Sequence, residues 1–548
     1  MDYNKLAKIL FPNLKHTRKY YEQKYPKRVL KEKQIVTRFA PSPTGFIHMG
    51  SLYASFVSYI FAKQTDGIFY LRIEDTDQKR KVEHGIEKMI DDLKKEDIIF
   101  DEGPTVGGIY GPYIQSERKE IYDAFVYDLI QKGYAYPAFE SKEELDEIRK
   151  LQEKEKQRIG YYGKYAKSRN RSLEEIEKLI EHGIPYVIRL CAPDHFEDKF
   201  EFKDCVKGKI LLPANDMDIV IQKQDGLPTY HFAHVVDDYL MNTTHVVRGD
   251  EWLSSVPVHL QLFRLLGVKA PKYSHIAPLT KKDGESIRKL SKRYDKECSM
   301  QFYQEEGVPT NAIKLYLATL LNASFEEYYL SNKEATISNF HFEWKKMSVG
   351  GSLFDYTKLL FLSKIYLSRL TALELYEEML PYYHTYDKAF YELIVREKEY
   401  TIKILNVERT GKKPRKDFAT YQDVKKHIWY MYDFYYDTYE NSYMKKDYNL
   451  TLVTKYFETV YKENDDKDTW YMNLKEFIGQ YGYAKTVKEY SQNPEQYIGH
   501  VGTFCEMIRV FLFCSLETPD IYELLQILTK EKIIKRLSLI RQKHSFMI

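Results

Sequence analysis

Val36-Thr37-Arg38-Phe39-Ala40 reads as a short strand, which Pro41-Ser42-Pro43-Thr44-Gly45 breaks into a loop. Behind the loop, Leu52, Phe56, Tyr59 and Ile60 fall on one helical face, and Gly67 is the stop signal. A second strand, Phe69 to Ile73, ends in Glu74-Asp75-Thr76-Asp77. Strand, loop, helix, strand is the opening of a parallel α/β sheet. From 114 to 229, charged helical stretches alternate with short strands, and the clearest helix runs from Ser141 to Arg158. A strand-like segment resumes near Thr229, after Asp225-Gly226-Leu227-Pro228, and another at His245-Val246-Val247-Arg248, so the pattern predicts a sheet split by an insertion. Farther on the periodicity is helical. Leu359, Leu362, Tyr366 and Leu370 share one face, as do Ile521, Leu524, Leu525 and Leu528, the latter behind Thr518 as N-cap and Pro519 at the first helical position.

A chain of 548 residues is too long for one core and predicts roughly three to five folded units. Hydrophobic residues at 43% and charged residues at 30% provide a packed interior and exclude global disorder. The 83 basic and 80 acidic side chains nearly cancel, so a nucleic-acid partner would show only in local patches. One such run is the lead-in, residues 1–34, with ten Lys/Arg against three Asp/Glu; it suits RNA phosphates or a solvated helical decoration. Cys191, Cys205, Cys298, Cys505 and Cys514 are scattered and form no C-x-x-C pair, which predicts neither a disulfide framework nor a cysteine zinc site. With no apolar leader at Met1 and no run of about 18 apolar residues, the expectation is a cytoplasmic protein without a membrane span. The 49 tyrosines are read as a coding bias rather than a functional signal.

Neither G-x-x-x-x-G-K-[ST] nor G-x-G-x-x-G occurs, which weakens P-loop and dinucleotide readings. In their place the loop from Arg38 to Ser51 leaves the carboxyl end of a strand, where open α/β sheets bind ligands, and enters a helix whose first N–H groups attract anions. His48 adds a donor there, and Gly50 lets a flat base approach the backbone. Far downstream, Lys289-Leu290-Ser291-Lys292-Arg293 follows the polar loop Lys281 to Arg288. Two lysines around a serine on a mobile loop suit a polyphosphate whose leaving group gains charge. Taken singly, the histidine suits a structural role and the pentamer a solvated loop.

Together, and in this order, the two segments resemble the two signatures of class I aminoacyl-tRNA synthetases. Leu71-Arg72-Ile73-Glu74-Asp75-Thr76-Asp77, Pro228 to Asp238 and Arg248-Gly249-Asp250-Glu251-Trp252-Leu253 narrow the resemblance to the bacterial-type glutamyl-tRNA synthetases, over roughly residues 35–548. The resemblance implies an α/β fold, a Rossmann-like parallel sheet split by an acceptor-binding insertion and followed by an all-α anticodon-binding region. The implied boundaries are 35–113 and 230–288 for the two catalytic halves and 114–229 for the insertion. Residues 289–358 then form a KMSKS-like loop and stem-contact region, and 359–548 the helical region.

By the same resemblance, glutamate is activated with ATP and Mg²⁺ and transferred to tRNA(Glu), and in some members also to tRNA(Gln). His48, Lys289 and Lys292 are implied to support the triphosphate, with His48, Gly50, Trp252 and Lys292 forming the ATP site. Arg38 and Tyr230 are implied to meet the side-chain carboxylate, Ser42 and Arg248 the carboxylates generally, and Glu74 the ammonium. An arginine fork suits a carboxylate because it donates two parallel bonds. No protein metal site is implied. Tyr134 to Phe139, where some relatives place zinc-binding cysteines, has none, so no zinc is expected. Monomers are usual in the family. Ser51 replaces the commoner His or Gly of the first signature, with little loss expected because serine still donates. His234 stands where many relatives have Asn; if it titrates near neutrality, glutamate affinity would follow pH.

Basic clusters at Arg409 to Lys416, and at Lys164, Lys167, Arg169 and Arg171, suit either phosphate contacts or a solvated surface. The β-barrel anticodon region of glutaminyl-tRNA synthetases does not fit the helical periodicity after residue 359, and the length excludes the short glutamyl-queuosine type. A catalytically inactive RNA-binding paralogue would not need His48, Glu74, Arg248 and Lys292 all intact.

Overall fold

The computed structural model describes residues 1–43, 47–77, 85–291, 293–411, 414–445 and 448–545. They form two compact units, Met1–Met300 with Lys314–Asp355, and Gln301–Ile313 with Tyr356–Ile548.

In the first unit, β1 (Val36–Phe39) and β2 (Ile68–Leu71) run parallel, in register from Val36↔Ile68 to Phe39↔Leu71, and are connected by helix α1 (Met49–Lys63). The helix ends at Lys63, and the reversal is made at Asp66, whose φ is 52°. Gly67 matters at the next step: a Cβ there would lie 2.0 Å from the Ile35 carbonyl oxygen. The second half supplies α2 (Tyr230–Leu240), β3 (His245–Gly249), α3 (Val256–Leu266) and β4 (Lys272–Ile276), with β4 parallel to β3. Thr244 joins the halves: its N–H donates to Val36 O at 3.0 Å, and its carbonyl accepts from Lys272 N at 2.9 Å. Beyond the carboxyl end of β1, Glu74 N donates to Pro41 O at 3.0 Å, which draws Glu74 alongside the first loop.

The strand predicted near Thr229 is a helix. Thr229 is the extended N-cap of α2, and Phe232, Ala233, Val235, Val236, Asp237 and Asp238 are all buried. A helix buried on every side shows no polar face, so its sequence lacks the alternation that marks a surface helix. The insertion contains a three-stranded antiparallel sheet (Ala135–Ala138, Val187–Leu190, Val220–Gln222) and a hairpin, Lys199–Asp204 with Gly208–Pro213. The helix expected from Ser141 to Arg158 spans Lys142–Lys154, started by a Ser141/Glu144 capping box and ended where Lys156 turns left-handed, at φ 51°.

The basic lead-in is not a solvated decoration. Helices Tyr3–Leu10 and Arg18–Lys24 bury Leu6, Ala7, Leu10, Tyr21 and Tyr25 in the same core as Phe125, Leu129 and Val235. Arg18 donates to Asp128 at 2.8 Å, and Arg28 forms a two-pronged pair with Glu102 at 2.6 and 2.8 Å. Arg28 also donates to Met241 O and stacks on Tyr110, its guanidinium 3.9 Å from the ring centre.

The second unit is helical apart from two-residue strands at Tyr483–Ala484 and Gly499–His500. The predicted apolar faces are in place: Leu359 and Leu362 lie buried on Tyr356–Arg369, and Ile521, Leu524, Leu525 and Leu528 on Ile521–Leu528. The N-cap of the latter helix is Asp520 rather than Thr518, its carboxylate accepting from Glu523 N at 3.1 Å; the Thr518 hydroxyl accepts from Arg509. Tyrosines 376, 383, 432, 456 and 461 are part of this core, so several of the 49 are structural.

Arg409 is also spent inside. It donates to the carbonyls of Leu405, Leu367 and Leu370, and burial, with Arg415 nearby, lowers its pKa to about 10. Arg415 pairs with Asp417 and lies over Phe418. Both leave the predicted phosphate-contacting loop; Lys412 and Lys413 lie outside the described residues. In the other cluster, Arg169 is tied to Cys191, Ala192 and Asp218, whereas Lys167 is exposed.

Because Glu102 would keep only the Tyr113 hydroxyl, at 2.8 Å, as a partner among the described residues, Arg28→Ala should lower unfolding stability by about 2 kcal/mol, the range for hydrogen bonds to a charged group. Urea denaturation measures this directly, and an unchanged midpoint would show that the lead-in is not anchored through Arg28.

Candidate active site

A cleft of about 480 Å³ opens at the carboxyl ends of β1 and β3. It brings together Arg38, Ser42, His48, Gly50, Glu74, Tyr230, Arg248, Trp252 and Lys289, residues separated by up to 251 positions. Lys292, predicted for the same site, lies outside the described residues.

The floor of the cleft is a buried charge layer. Asp238, on α2, accepts from Arg72 Nη1 at 2.7 Å and from Arg38 Nε at 3.3 Å. Arg72 also donates to Glu74 Oε1 at 2.8 Å, and Arg38 to the Val247 carbonyl at 3.3 Å. Burial opposes the charge on Asp238, but Arg72 and Arg38 outweigh it and hold its carboxyl below the usual range. For Arg38 burial is again opposed, and Asp238 keeps the guanidinium charged. Glu74 goes the other way: burial raises its pKa, against the pull of Arg72 and Arg38. A ligand's ammonium beside Glu74 would oppose that rise, because a nearby cation favours the ionised carboxylate.

Arg248 has a different surrounding. Its Nε donates to His275 Nε2 at 2.9 Å, Nη1 lies 3.1 Å from His259 Nδ1, and Nη2 donates to the Trp252 carbonyl at 3.1 Å. Trp252 packs against Tyr230 with ring centres 4.5 Å apart. His234 is completely buried, its Nε2 3.1 Å from the Tyr273 hydroxyl and its Nδ1 3.2 Å from Asp238 Oδ2. Burial, with Arg248, Arg38 and Arg72 adding to it, pushes its pKa well below the ordinary value. Glutamate affinity would follow pH through His234 only if the ring titrated near neutrality, and burial with the three guanidinium groups moves it away from that condition, toward the neutral form.

At the other end of the cleft, His48 is the N-cap of α1. Its Nδ1 accepts from Ser51 N at 3.2 Å and its Nε2 lies 2.9 Å from Ser51 Oγ. Ser51, the departure from the first signature, thus holds the imidazole. A Cβ on Gly50 would come within 3.2 Å of that ring, which gives Gly50 a steric role toward the imidazole. The segment expected as a polar loop, Lys281 to Arg288, is mostly a hairpin, Leu279–Asp283 against Ser286–Lys289. Arg288 grips Asp295 through two nitrogens at 2.6 and 2.8 Å, and Asp295 also accepts from Ser291 N at 2.8 Å. Arg288 thereby tethers both ends of the basic segment, while Lys289 remains largely exposed, 3.7 Å from Glu251.

A family model described as tRNA synthetases class I (E and Q), catalytic domain, matches residues 34–360. The glutamate–tRNA ligase of Clostridium perfringens (strain 13 / Type A) is 44% identical over 546 residues, spanning 98% of this chain and 100% of its own length. The chain belongs to the glutamate–tRNA ligase family of class I synthetases. A more distant family member, the glutamate–tRNA ligase of Thermus thermophilus, is 33% identical over 507 residues, covering 92% of this chain and 99% of that one. The fold agrees as well. The crystal structure of a glutamate tRNA ligase from Elizabethkingia meningosepticum, in complex with its amino acid, superposes with a TM-score of 0.74 at 27% identity, over 93% of this chain and 99% of that one.

Within this family site, Arg72, Asp238, His259 and His275 were not singled out from sequence. Arg72 and Asp238 lie inside segments that matched the family, but nothing local signals that they meet across 166 positions. His259 and His275 sit on α3 and β4 in no motif at all. Among the described residues, no group of three or more His, Cys, Asp or Glu side chains is arranged to hold a metal ion, and no helix is long and apolar enough to cross a membrane.

Neutral buried histidines leave a signature in stability. Burial holds His231 at about 4 and keeps His234 and His259 well below their ordinary values. Above about pH 6.5 these rings are neutral whether folded or unfolded, and nothing is lost. As pH falls below that, the unfolded chain gains protons the folded one refuses, so stability drops. Between pH 7.5 and 5.5, His234 and His259 should each remove on the order of 1 kcal/mol, and His234→Asn should remove one such contribution. Urea midpoints that stay level across this window, or a His234→Asn slope equal to the parent's, would contradict a neutral cluster.

Proposed function

We propose that the protein joins glutamate to ATP, forming glutamyl-adenylate and pyrophosphate, and then transfers the glutamyl group to the 2′-hydroxyl of the terminal adenosine of tRNA(Glu). The observation that carries this reading is one cleft that holds two buried arginines and one buried acid beside a histidine-capped helix. Glutamate has two carboxylates and one ammonium. Arg38 with Tyr230 suits the side-chain carboxylate, Arg248 with Ser42 the α-carboxylate, and Glu74 the ammonium. Glutamine would leave Arg38 facing a neutral amide in a desolvated site, a larger loss than the roughly 1–3 kcal/mol of one methylene.

Activation needs alignment more than acid–base chemistry: the α-carboxylate must lie in line with the α-phosphorus while the departing pyrophosphate gains charge. His48, Lys289 and Lys292 supply that electrostatic support, and Gly50 and Trp252 border the adenine. Mg²⁺ comes with ATP, bound to its phosphates, and no zinc is needed. Residues 114–229 would grip the acceptor end, 289–358 the stem and 359–548 the anticodon, in a cytoplasmic monomer.

Acid-precipitable labelled glutamate on separate tRNA(Glu) and tRNA(Gln) transcripts tests this. Charging of tRNA(Glu) is expected, and label on tRNA(Gln) would add a second substrate. Arg38→Ala should raise the glutamate KM about 10- to 100-fold, the range of one charge-assisted bond. No charging of either RNA, with a control enzyme active on both, would overturn the reading.

A further inference from the structure

The hairpin Lys199–Asp204/Gly208–Pro213 belongs to the insertion, yet its turn reaches the cleft's wall at two points. Asp204 Oδ2 accepts from His275 Nδ1 at 2.7 Å, and Oδ1 accepts from the backbone N–H groups of Val206 and Lys207 at 2.9 Å each. Lys207 Nζ donates to Asp250 Oδ2 at 3.2 Å, two residues beyond Arg248. On the far side of the His275 ring lies Arg248 Nε, at 2.9 Å. Asp204, His275 and His259 are 2%, 0% and 0% exposed, so water does not substitute for these bonds.

A guanidinium donates at every nitrogen and accepts at none, so each ring nitrogen facing Arg248 must be bare. His275 therefore carries its proton on Nδ1, where Asp204 takes it. His259 carries its proton on Nε2, where His231 Nδ1 lies 3.0 Å away. Among the described residues no carboxylate oxygen lies within 4.0 Å of the Arg248 guanidinium. Asp204, one imidazole away, fixes its plane through His275 without neutralising it. That leaves the charge of Arg248 for a ligand.

We propose that Asp204 and His275 are positioning residues for glutamate, which makes the insertion's hairpin part of the amino-acid site. The inference rests on the reading that Arg248 meets a glutamate carboxylate. In Asp204→Asn the amide oxygen stays with the N–H groups of Val206 and Lys207, and the amide NH₂ then faces His275 Nδ1 and the His275 backbone N–H, which donates to Oδ2 at 3.1 Å. The ring must accept there, moves its proton to Nε2 and opposes Arg248 N–H to N–H.

Aminoacylation kinetics on the full chain, varying glutamate, ATP and tRNA(Glu) in turn, test this. Asp204→Asn should raise the glutamate KM about tenfold, equivalent to roughly 1.4 kcal/mol, with the ATP and tRNA KM values within about twofold. His275→Gln, which keeps an acceptor for Arg248, should retain more glutamate affinity than His275→Leu; this pair decides the matter if Asp204→Asn fails to fold. Equal glutamate KM values for the two His275 variants, or ATP and tRNA KM values rising in step with that of glutamate, would overturn the proposal. Arg248→Lys separates the two ideas. An unchanged glutamate KM there removes the reading of Arg248 itself. A raised one, with Asp204→Asn and His275→Leu resembling the parent, removes only the positioning role.

Discussion

One carboxylate, Asp238, allows two arginines to stay charged beneath the cleft. Removing an ion from water costs several kcal/mol even after relaxation, and that penalty is offset only by a close partner with good geometry. Asp238 meets Arg72 at 2.7 Å and Arg38 at 3.3 Å, and Arg72 passes the interaction on to Glu74 at 2.8 Å. Its neighbour Asp237 does the same elsewhere, accepting from Arg118 at 2.7 Å, Tyr122 at 2.8 Å and Gln115 at 2.9 Å. Adjacent helical residues point about 100° apart, so two consecutive aspartates on α2 fasten the strands of the first half to the segment that leads into the insertion.

The two arginines proposed for glutamate are supported by opposite means. Arg38 leans on a carboxylate that must be shared with Arg72. Arg248 leans on two imidazoles and a carbonyl, all neutral. A pocket for a dianionic amino acid needs cations that are oriented yet still electrostatically open, and neutral acceptors achieve that where a second carboxylate would cancel the charge. Four histidines gathered near one arginine would be a liability if they ionised. Burial, with the nearby Arg248 guanidinium adding to it, lowers the pKa of all four.

What could be read from the sequence was whatever lay in contiguous segments. The strand–loop–helix run from Val36 to Lys63 follows from local apolar spacing and punctuation, and it places Arg38, His48 and Gly50 at one sheet edge. Glu74 could be read because a strand ends just before it. Arg72 lies in the same run but carries no local signal, since its role comes from Asp238, which only folding brings near. Asp204, His259 and His275 carry no periodic or motif signal. Arg409 misled in the other direction: in sequence it is one cation of a basic run, and in the fold it ties three helix-end carbonyls. Burial on all sides hid α2 behind a strand-like pattern.

Equilibrium urea unfolding of Asp238→Asn tests the central claim most directly. The change keeps the shape of the side chain and removes the charge that Arg38 and Arg72 share. The account predicts a loss of about 3–5 kcal/mol, the range for leaving a buried charge without its partner. A midpoint and slope equal to the parent's would contradict it, and would mean that the arginines under the cleft are held by something other than this carboxylate.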